Sequence, residues 1–166
     1  MRVARHLSGL LLLIAFVTVQ AQEIPAGPEL RAELSELVLN YAYYRDVLEA
    51  DAVADLFTAD ATMTVLGQTY TGRAAIRQRI ADARSNAEEP VTRHLMSTQR
   101  FFQSAADRAR GVSYVAVLGA PQQELPIRSE RFLAVGEYHD EFVRTSQGWK
   151  IARREFVYVF DYRDQP

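Results

Sequence analysis

The fold is decided by residues 130–162, which read ERFLAVGEYHDEFVRTSQGWKIARREFVYVFDY. This stretch contains two long strand-like runs, 130–145 and 149–162, and the polar residues 146–148 between them are typical of a turn. Apolar side chains occupy both faces of the runs in places, so parts of each strand must be covered on two sides. The stretch therefore predicts the closing hairpin of a curved sheet that has helices on one face.

Two more strand-like runs, 91–104 and 109–118, precede this hairpin. Asp107 and Arg108 supply a turn between them, and the longer loop 119–126 leads on to the hairpin. The four runs together predict an antiparallel meander.

The first half of the chain is predicted to be mainly helical. Residues 29–48 place apolar side chains at steps of three and four, the pattern of a helix with one buried face. A short second helix is predicted over 51–57, a hairpin over 61–71 and a third helix over 73–83. Helices first and a meander afterwards indicate the α+β class. We expect a cone-like curved antiparallel sheet wrapped around the N-terminal helices and enclosing an apolar pocket for a small molecule.

The first 21 residues have the layout of a secretory signal peptide. Arg2 and Arg5 make a basic start, residues 7–19 are almost wholly apolar, and residues 19–21 suit cleavage after Ala21. The apolar run is shorter than the roughly 20 residues of a membrane-spanning helix, and a retained N-terminal anchor is the alternative. We expect a periplasmic or secreted protein with no membrane attachment after cleavage.

The rest of the chain, from residue 22 onward, is predicted to form one domain without disulfide bonds. Residues 22–28 predict a flexible leader, 29–162 the domain and 163–166 a short tail. Apolar residues make up 48% of the chain, enough for a hydrophobic core. The chain has no cysteine, which excludes thiol nucleophiles, cysteine-ligated metals and iron–sulfur clusters.

Charge and motifs exclude several further function classes. Without the two arginines of the signal peptide, 17 basic residues face 21 acidic ones, a balance that argues against a nucleic-acid partner. The sequence contains no Gly-rich phosphate loop, no Gly-x-Ser-x-Gly elbow and no His or carboxylate cluster with metal-ligand spacing. We therefore expect neither a cofactor nor a bound metal.

His94 and Asp46 are the strongest candidates for catalysis. Histidine is the side chain best suited to proton transfer near neutral pH, and alternation along the strand gives His94 the same face as Met96. Asp46 lies near the end of the first helix, at the edge of its apolar stripe, where a carboxylate needs a partner. We expect Asp46 to hold the His94 ring in one tautomer. The alternatives are a histidine bonded to backbone and an ordinary surface acid.

Arg154 and Tyr41 are weaker candidates. Either Arg153 or Arg154 must point toward the apolar side of the last strand, and an inward arginine could clamp an anion or a leaving group. Tyr41 lies on the buried face of the first helix, where packing is the commoner role. His139 stands among acidic residues and is expected on the solvated outer face of the sheet.

Four stretches in this order resemble the SnoaL-like branch of the nuclear-transport-factor-two-like superfamily. They are Tyr41–Ala61 of the opening helices, Tyr70–Ile76 of the hairpin-to-helix step, Thr92–Leu95 of the strand entry and Gly136–Arg154 of the closing hairpin. The resemblance covers roughly Leu30 to Phe160. It implies the α+β cone, and it implies dimerisation through the outer sheet face, so a homodimer is expected.

The resemblance also bears on the candidate site. Scytalone dehydratase and lindane dehydrochlorinase, two enzymes of this group, use a helix-borne Asp beside a strand-borne His, and Asp46 and His94 match those positions. Arg154 matches by position an arginine that assists the leaving group in the dehydrochlorinase. That enzyme has a catalytic lysine where Tyr41 stands, and scytalone dehydratase has a second pocket histidine that this chain lacks between Arg128 and Val135. The substrate therefore does not carry over.

Two functions remain open at the level of sequence. The first is a small-molecule lyase or isomerase in which His94 removes a proton, Asp46 orients the ring, and Arg154 or Tyr41 stabilises the developing charge. The second is a secreted module of the same fold that binds a small apolar ligand, or serves in dimerisation, without catalysis. An Asp46–His94 separation beyond about 6 Å would favour the second function.

Overall fold

The computed structural model describes residues 24–128 and 132–162. The predicted signal peptide, 1–21, and the predicted tail, 163–166, lie outside these described residues. Within them, no helix combines the length and the apolar character that a membrane span requires.

Within the described residues there are three helices and seven strands, and all of them except the first strand follow the predicted order. The helices are α1 (Pro28–Asp46), α2 (Ala50–Asp55) and α3 (Arg73–Ser85). Pro28 occupies the first turn of α1, where a missing backbone N–H costs nothing. The strands are β1 (Ile24–Pro25), β2 (Phe57–Val65), β3 (Gln68–Thr71), β4 (Val91–Ala105), β5 (Arg108–Ala120), β6 (Phe132–Thr145) and β7 (Gly148–Asp161).

The strands form one mixed sheet in the order β1-β4-β5-β6-β7-β2-β3. The antiparallel meander β4 to β7 and the antiparallel hairpin β2–β3 agree with the sequence prediction. The pairing of β2 with β7 is parallel, with Phe57 beside Ile151, so the prediction of an antiparallel sheet is wrong at this one pair. The α3 helix and most of the meander separate β2 from β7, so no tight turn forces them to run in opposite directions.

Irregular pairing bends the sheet into the predicted cone. The register shifts between Ser97 and Gln99 in β4 and between Val135 and Gly136 in β6. Such bulges bend a strand and increase its twist. At Gly136 the backbones come so close that an added Cβ would lie 2.3 Å from the carbonyl oxygen of Val157. This close approach requires glycine.

The core lies between the concave face of the sheet and the helices. Leu34 and Val38 of α1 and Ile76 and Ile80 of α3 are almost completely buried, which agrees with the apolar stripes in the sequence. From the sheet they meet buried side chains of four strands, namely Phe57, Met63, Val115, Phe142 and Ile151. Burial of this apolar surface is the main force that holds the helices in the cone.

Two local predictions differ from the structure. The leader, predicted as flexible over 22–28, is structured from Ile24 onward: Ile24–Pro25 pairs with β4, and the Ala26 N–H donates to the Phe101 carbonyl at 3.0 Å. The exposed edge of β4 offers backbone groups that this segment satisfies. The second helix, predicted over 51–57, ends at Asp55 because Phe57 already pairs with β7.

Candidate active site

Asp46 and His94 form a buried pair between the end of α1 and the start of β4. Asp46 Oδ1 lies 2.6 Å from His94 Nδ1, and Asp46 Oδ2 accepts a hydrogen bond from the His94 backbone N–H at 2.8 Å. The Thr92 hydroxyl donates to Asp46 Oδ1 at 2.9 Å. Only 9% of the Asp46 side chain and 8% of the His94 side chain are exposed. The separation is far below the 6 Å that would favour a non-catalytic role.

The surroundings of Asp46 keep its carboxylate ionised. Burial alone would raise the pKa of Asp46, but the hydrogen bonds and electrostatic attraction from His94, together with the bond from Thr92, bring this pKa below its ordinary value. An ionised carboxylate only accepts hydrogen bonds, so the proton between the two side chains belongs to His94 Nδ1. In the neutral ring, Nε2 is then the nitrogen that carries the free lone pair.

Thr92 was not predicted from the sequence, although a signal exists. Thr92 and His94 stand two residues apart on β4, so their side chains share one face of the sheet. A small hydroxyl residue two positions before a candidate histidine is therefore placed to reach the same acid.

His94 borders a cavity of about 250 Å³ inside the cone. Its walls are mainly apolar and aromatic, with side chains from α1, α3 and the strands, among them Tyr41, Met63, Ile80, Tyr138 and Phe156. A cavity of this kind suits a small hydrophobic molecule. Because Nδ1 is held by Asp46, Nε2 is the ring nitrogen available to such a molecule.

Arg154 lies behind this cavity and is not among the residues that line it. Its side chain is completely buried and forms two hydrogen bonds of 2.7 Å with the Asp140 carboxylate. The guanidinium also packs 4.1 Å from the ring centre of Tyr41 and 4.4 Å from that of Tyr138. Burial opposes the charge on Arg154, but Asp140 outweighs it and raises the pKa of Arg154. Arg154 is therefore the inward-pointing member of the pair Arg153 and Arg154, but its guanidinium binds the Asp140 carboxylate at the place where a ligand anion was expected.

Asp140 was missed because it stands in an acidic stretch that suggested the solvated face. Asp140 and Arg154 are direct partners in the β6–β7 register, and both point inward. Its neighbour His139 has the predicted outward position, where Nε2 lies 2.7 Å from the Glu137 carboxylate and 46% of the side chain is exposed. Strict alternation of inward and outward residues was the available signal.

Two of the tyrosines that line the cavity, Tyr41 and Tyr138, differ in the surroundings of their hydroxyl groups. Tyr41 lines the cavity, and its hydroxyl donates only to the Met63 sulfur at 3.5 Å, a weak acceptor. Burial is the main reason that the pKa of Tyr138 lies well above its ordinary value, so Tyr138 stays a neutral phenol. The rings meet edge to face at 5.6 Å between centroids.

Three charged side chains also line the cavity, and sequence reasoning did not single them out. Arg45 and Arg79 both contact Oε1 of Glu89, at 2.5 Å and 3.5 Å. Arg45 directly precedes Asp46 on α1, and Glu89 lies just before β4, so the cluster stands at the same end of α1 as the Asp46–His94 pair. Within residues 24–128 and 132–162, no three His, Asp or Glu side chains come together in a way that could hold a metal ion.

Residues 28–155 match the model of the SnoaL-like domain family. The chain belongs to the SnoaL-like family. The match covers most of the domain and confirms the resemblance seen in the sequence. No curated protein matches the chain with statistical significance.

Solved structures confirm the fold of this SnoaL-like chain. A Novosphingobium aromaticivorans protein provisionally assigned as a scytalone dehydratase is 22% identical, with a TM-score of 0.66 over 79% of this chain and 86% of that one. A hexachlorocyclohexane dehydrochlorinase is 18% identical, with a TM-score of 0.67 over 81% and 88%. A nuclear-transport-factor-two-like protein with a cystatin-like fold, also from N. aromaticivorans, is 24% identical, with a TM-score of 0.63 over 83% and 84%. The predicted α+β cone is confirmed.

Proposed function

We propose that this SnoaL-like protein is a cofactor-independent lyase or isomerase that acts on a small apolar, ring-containing molecule. The observation that carries the proposal is the Asp46–His94 pair, which is buried, hydrogen-bonded at 2.6 Å and placed at the wall of an apolar cavity. A histidine oriented in this way by a carboxylate is equipped to act as a general base. The names of two structural neighbours, a dehydratase and a dehydrochlorinase, both denote eliminations.

The reaction begins with transfer of a substrate proton to His94 Nε2. The C–H bond breaks, and its electron pair forms a new carbon–carbon double bond. In a lyase, the bond to a hydroxyl or halide on the neighbouring carbon breaks, and the leaving group departs with the electron pair of that broken bond. In an isomerase, the electron pair of an adjacent C=O or C=C bond shifts away from the neighbouring carbon instead, and His94 returns the proton to a different atom of the substrate so that the double bond has moved. Asp46 balances the positive charge that His94 acquires in either case.

Tyr41 is the group we assign to the developing negative charge. Its hydroxyl has only a weak acceptor in Met63, and Tyr41 lines the cavity, so this hydroxyl is the group we expect to donate to a substrate oxygen or leaving group. Arg154 is assigned a positioning role, because it packs against the rings of Tyr41 and Tyr138 from behind and is neutralised by Asp140. This role differs from direct contact with a leaving group.

Hydrogen exchange tests the proposal without knowledge of the leaving group. A panel of ring compounds that carry a hydroxyl or halide next to an acidic C–H is incubated with the protein in D₂O, and NMR follows C–H exchange and product formation. His94→Ala should slow the reaction by about 10²–10⁴-fold, the usual cost of losing a positioned general base. His139→Ala is the matched control, because His139 is exposed on the outer face.

A rate that His94→Ala leaves unchanged would refute the proposed mechanism. Binding of panel members without exchange or product would instead support the second function, a non-catalytic module that holds an apolar ligand in the same cavity.

Two properties outside the site are also part of the proposal. We propose export to the periplasm or beyond with cleavage after Ala21. Determining the N-terminus of the expressed protein tests this cleavage, and an intact N-terminus would indicate a retained anchor.

A homodimer is proposed through the outer sheet face, where Leu95 and Tyr114 are 53% and 46% exposed. Light scattering that yields the monomer mass at micromolar concentration would contradict the dimer.

A further inference from the structure

The cavity wall carries more positive than negative charge. Arg45 and Arg79 share a single carboxylate oxygen, Oε1 of Glu89, and the contact with Arg79 is long at 3.5 Å. The three side chains are largely buried, with 13% of Arg45, 21% of Arg79 and 11% of Glu89 exposed. One carboxylate cannot saturate two guanidinium groups, each of which offers five N–H donors.

One donor of this cluster is left without an acceptor. Nη1 of Arg45 is buried and has no hydrogen-bond partner among the described residues. A buried charged donor without an acceptor is costly, and such a group calls for an explanation. The carboxylate of Asp46 does not serve as the acceptor for Nη1 of Arg45, because it already accepts hydrogen bonds from Thr92 and from two atoms of His94.

We propose that Arg45 and Arg79 form an anchor for a carboxylate, and that the ligand of this cavity is a hydrophobic carboxylic acid. Because these guanidinium groups are largely buried, a carboxylate placed against them makes strong charge-assisted hydrogen bonds. A small rotation of the Arg45 guanidinium presents Nη1 to the ligand. Glu89 limits the affinity, since it competes with the ligand for the same donors.

The anchor deepens the proposed function, because it names the class of substrate that His94 would act on. The carboxylate binds at the arginine cluster and leaves the rest of the molecule along the aromatic wall, which His94 shares. Binding does not require turnover, so the anchor can be tested independently of the chemistry.

Matched pairs of charged and neutral ligands provide the test. Calorimetry compares benzoate with benzamide and 2-naphthoate with 2-naphthamide, on the full-length protein at low salt. The wild type should prefer the carboxylates by about tenfold or more, and Arg45→Met and Arg79→Met should each bring that preference toward unity. Arg79 is more exposed than Arg45, so Arg79→Met keeps the test available if Arg45→Met fails to fold. Arg77→Met is the control, because Arg77 lies on α3 outside the cavity and pairs with Asp51.

Glu89→Gln should change the affinity for a carboxylate ligand in the opposite direction. It removes the competing carboxylate, so the affinity for 2-naphthoate should rise several-fold while that for 2-naphthamide stays constant. A general loss of structure would not increase affinity, which separates the anchor from a merely structural cluster.

The results that overturn the anchor are distinct from those that refute catalysis. A wild type that binds neither carboxylate, or binds acid and amide equally, overturns it, as does an unchanged preference in both arginine variants. A carboxylate preference that persists in His94→Ala, with no exchange in D₂O, supports the anchor and refutes the lyase or isomerase. Exchange that depends on His94 but not on either arginine supports catalysis and overturns the anchor.

Discussion

Asp46→Asn separates the stability of the Asp46–His94 pair from its chemistry. The substitution preserves size but replaces one acceptor oxygen with an NH₂ donor. In the wild type, Oδ2 accepts from the His94 backbone N–H at 2.8 Å, and Oδ1 accepts from the ring and from Thr92. An asparagine cannot satisfy all of these donors, so each of its two orientations has a definite cost.

With its oxygen toward the His94 ring, the asparagine places an N–H against the backbone N–H of His94. Two buried donors then lack acceptors, at about 1–3 kcal/mol each, so the free energy of unfolding should fall by roughly 2–6 kcal/mol. With its oxygen toward the backbone, the amide donates to Nδ1 and forces the ring proton onto Nε2. Stability is then largely kept, but the base is lost, and turnover should fall by about 10²–10⁴-fold.

Urea unfolding between pH 3 and pH 7 measures how much the Asp46–His94 pair contributes to the free energy of unfolding. The pKa of Asp46 is lower in the folded state than its ordinary value near 4, so its ionisation stabilises the fold above that pH. This contribution is lost as the pH falls through the folded pKa. The difference in unfolding free energy between wild type and Asp46→Asn should therefore shrink on acidification below about pH 4. Asp51→Asn is the control: Asp51 also forms a 2.5 Å ion pair, with Arg77, but it is exposed, and no measurable loss is expected.

The proposed role of the Asp46–His94 pair is refuted only if the stability measurement and the exchange measurement both show no effect. If Asp46→Asn unfolds at the wild-type urea concentration at pH 7 and also retains near-wild-type exchange in D₂O, the pair neither stabilises the fold nor sets the tautomer of His94.

Two further substitutions test the packing that supports the site. Arg154→Met should lower the unfolding free energy by about 3–5 kcal/mol, because the buried Asp140 carboxylate loses its partner. The double variant Arg154→Met/Asp140→Leu should recover much of this loss. Urea titration measures both variants, and a double variant no more stable than the single one would contradict the explanation. Gly136→Ala should cost about 1–3 kcal/mol, because the new Cβ meets the backbone oxygen of Val157 at 2.3 Å. Thermal unfolding measures it against Gly27→Ala, whose Cβ would meet nothing within 4 Å, and equal melting temperatures would show that β6 and β7 separate easily.

The sequence alone determined the elements and their faces. Periodic apolar residues predicted α1, α3 and the meander. The acidic neighbours of His139 predicted its outward position, and alternation required one of Arg153 and Arg154 to point inward. The succession of helices and strands was enough for the α+β class, and Asp46 and His94 were predicted as a pair from their residue types, their positions and the family resemblance. These properties are local, because burial on one face of a helix or strand repeats along the chain with the period of that element.

Only the tertiary structure decided which distant groups meet. Neither the parallel pairing of β2 with β7 nor the contact of Arg45 with Glu89 has a periodic signal, since the partners are far apart in sequence. Arg154 shows the difference most clearly: alternation required either Arg153 or Arg154 to point inward, but only the structure shows that it is Arg154 and that the Asp140 carboxylate on the neighbouring strand, and not a ligand, binds its guanidinium. Periodicity records which side of an element is buried, whereas the partner found there depends on the register and curvature of the whole sheet.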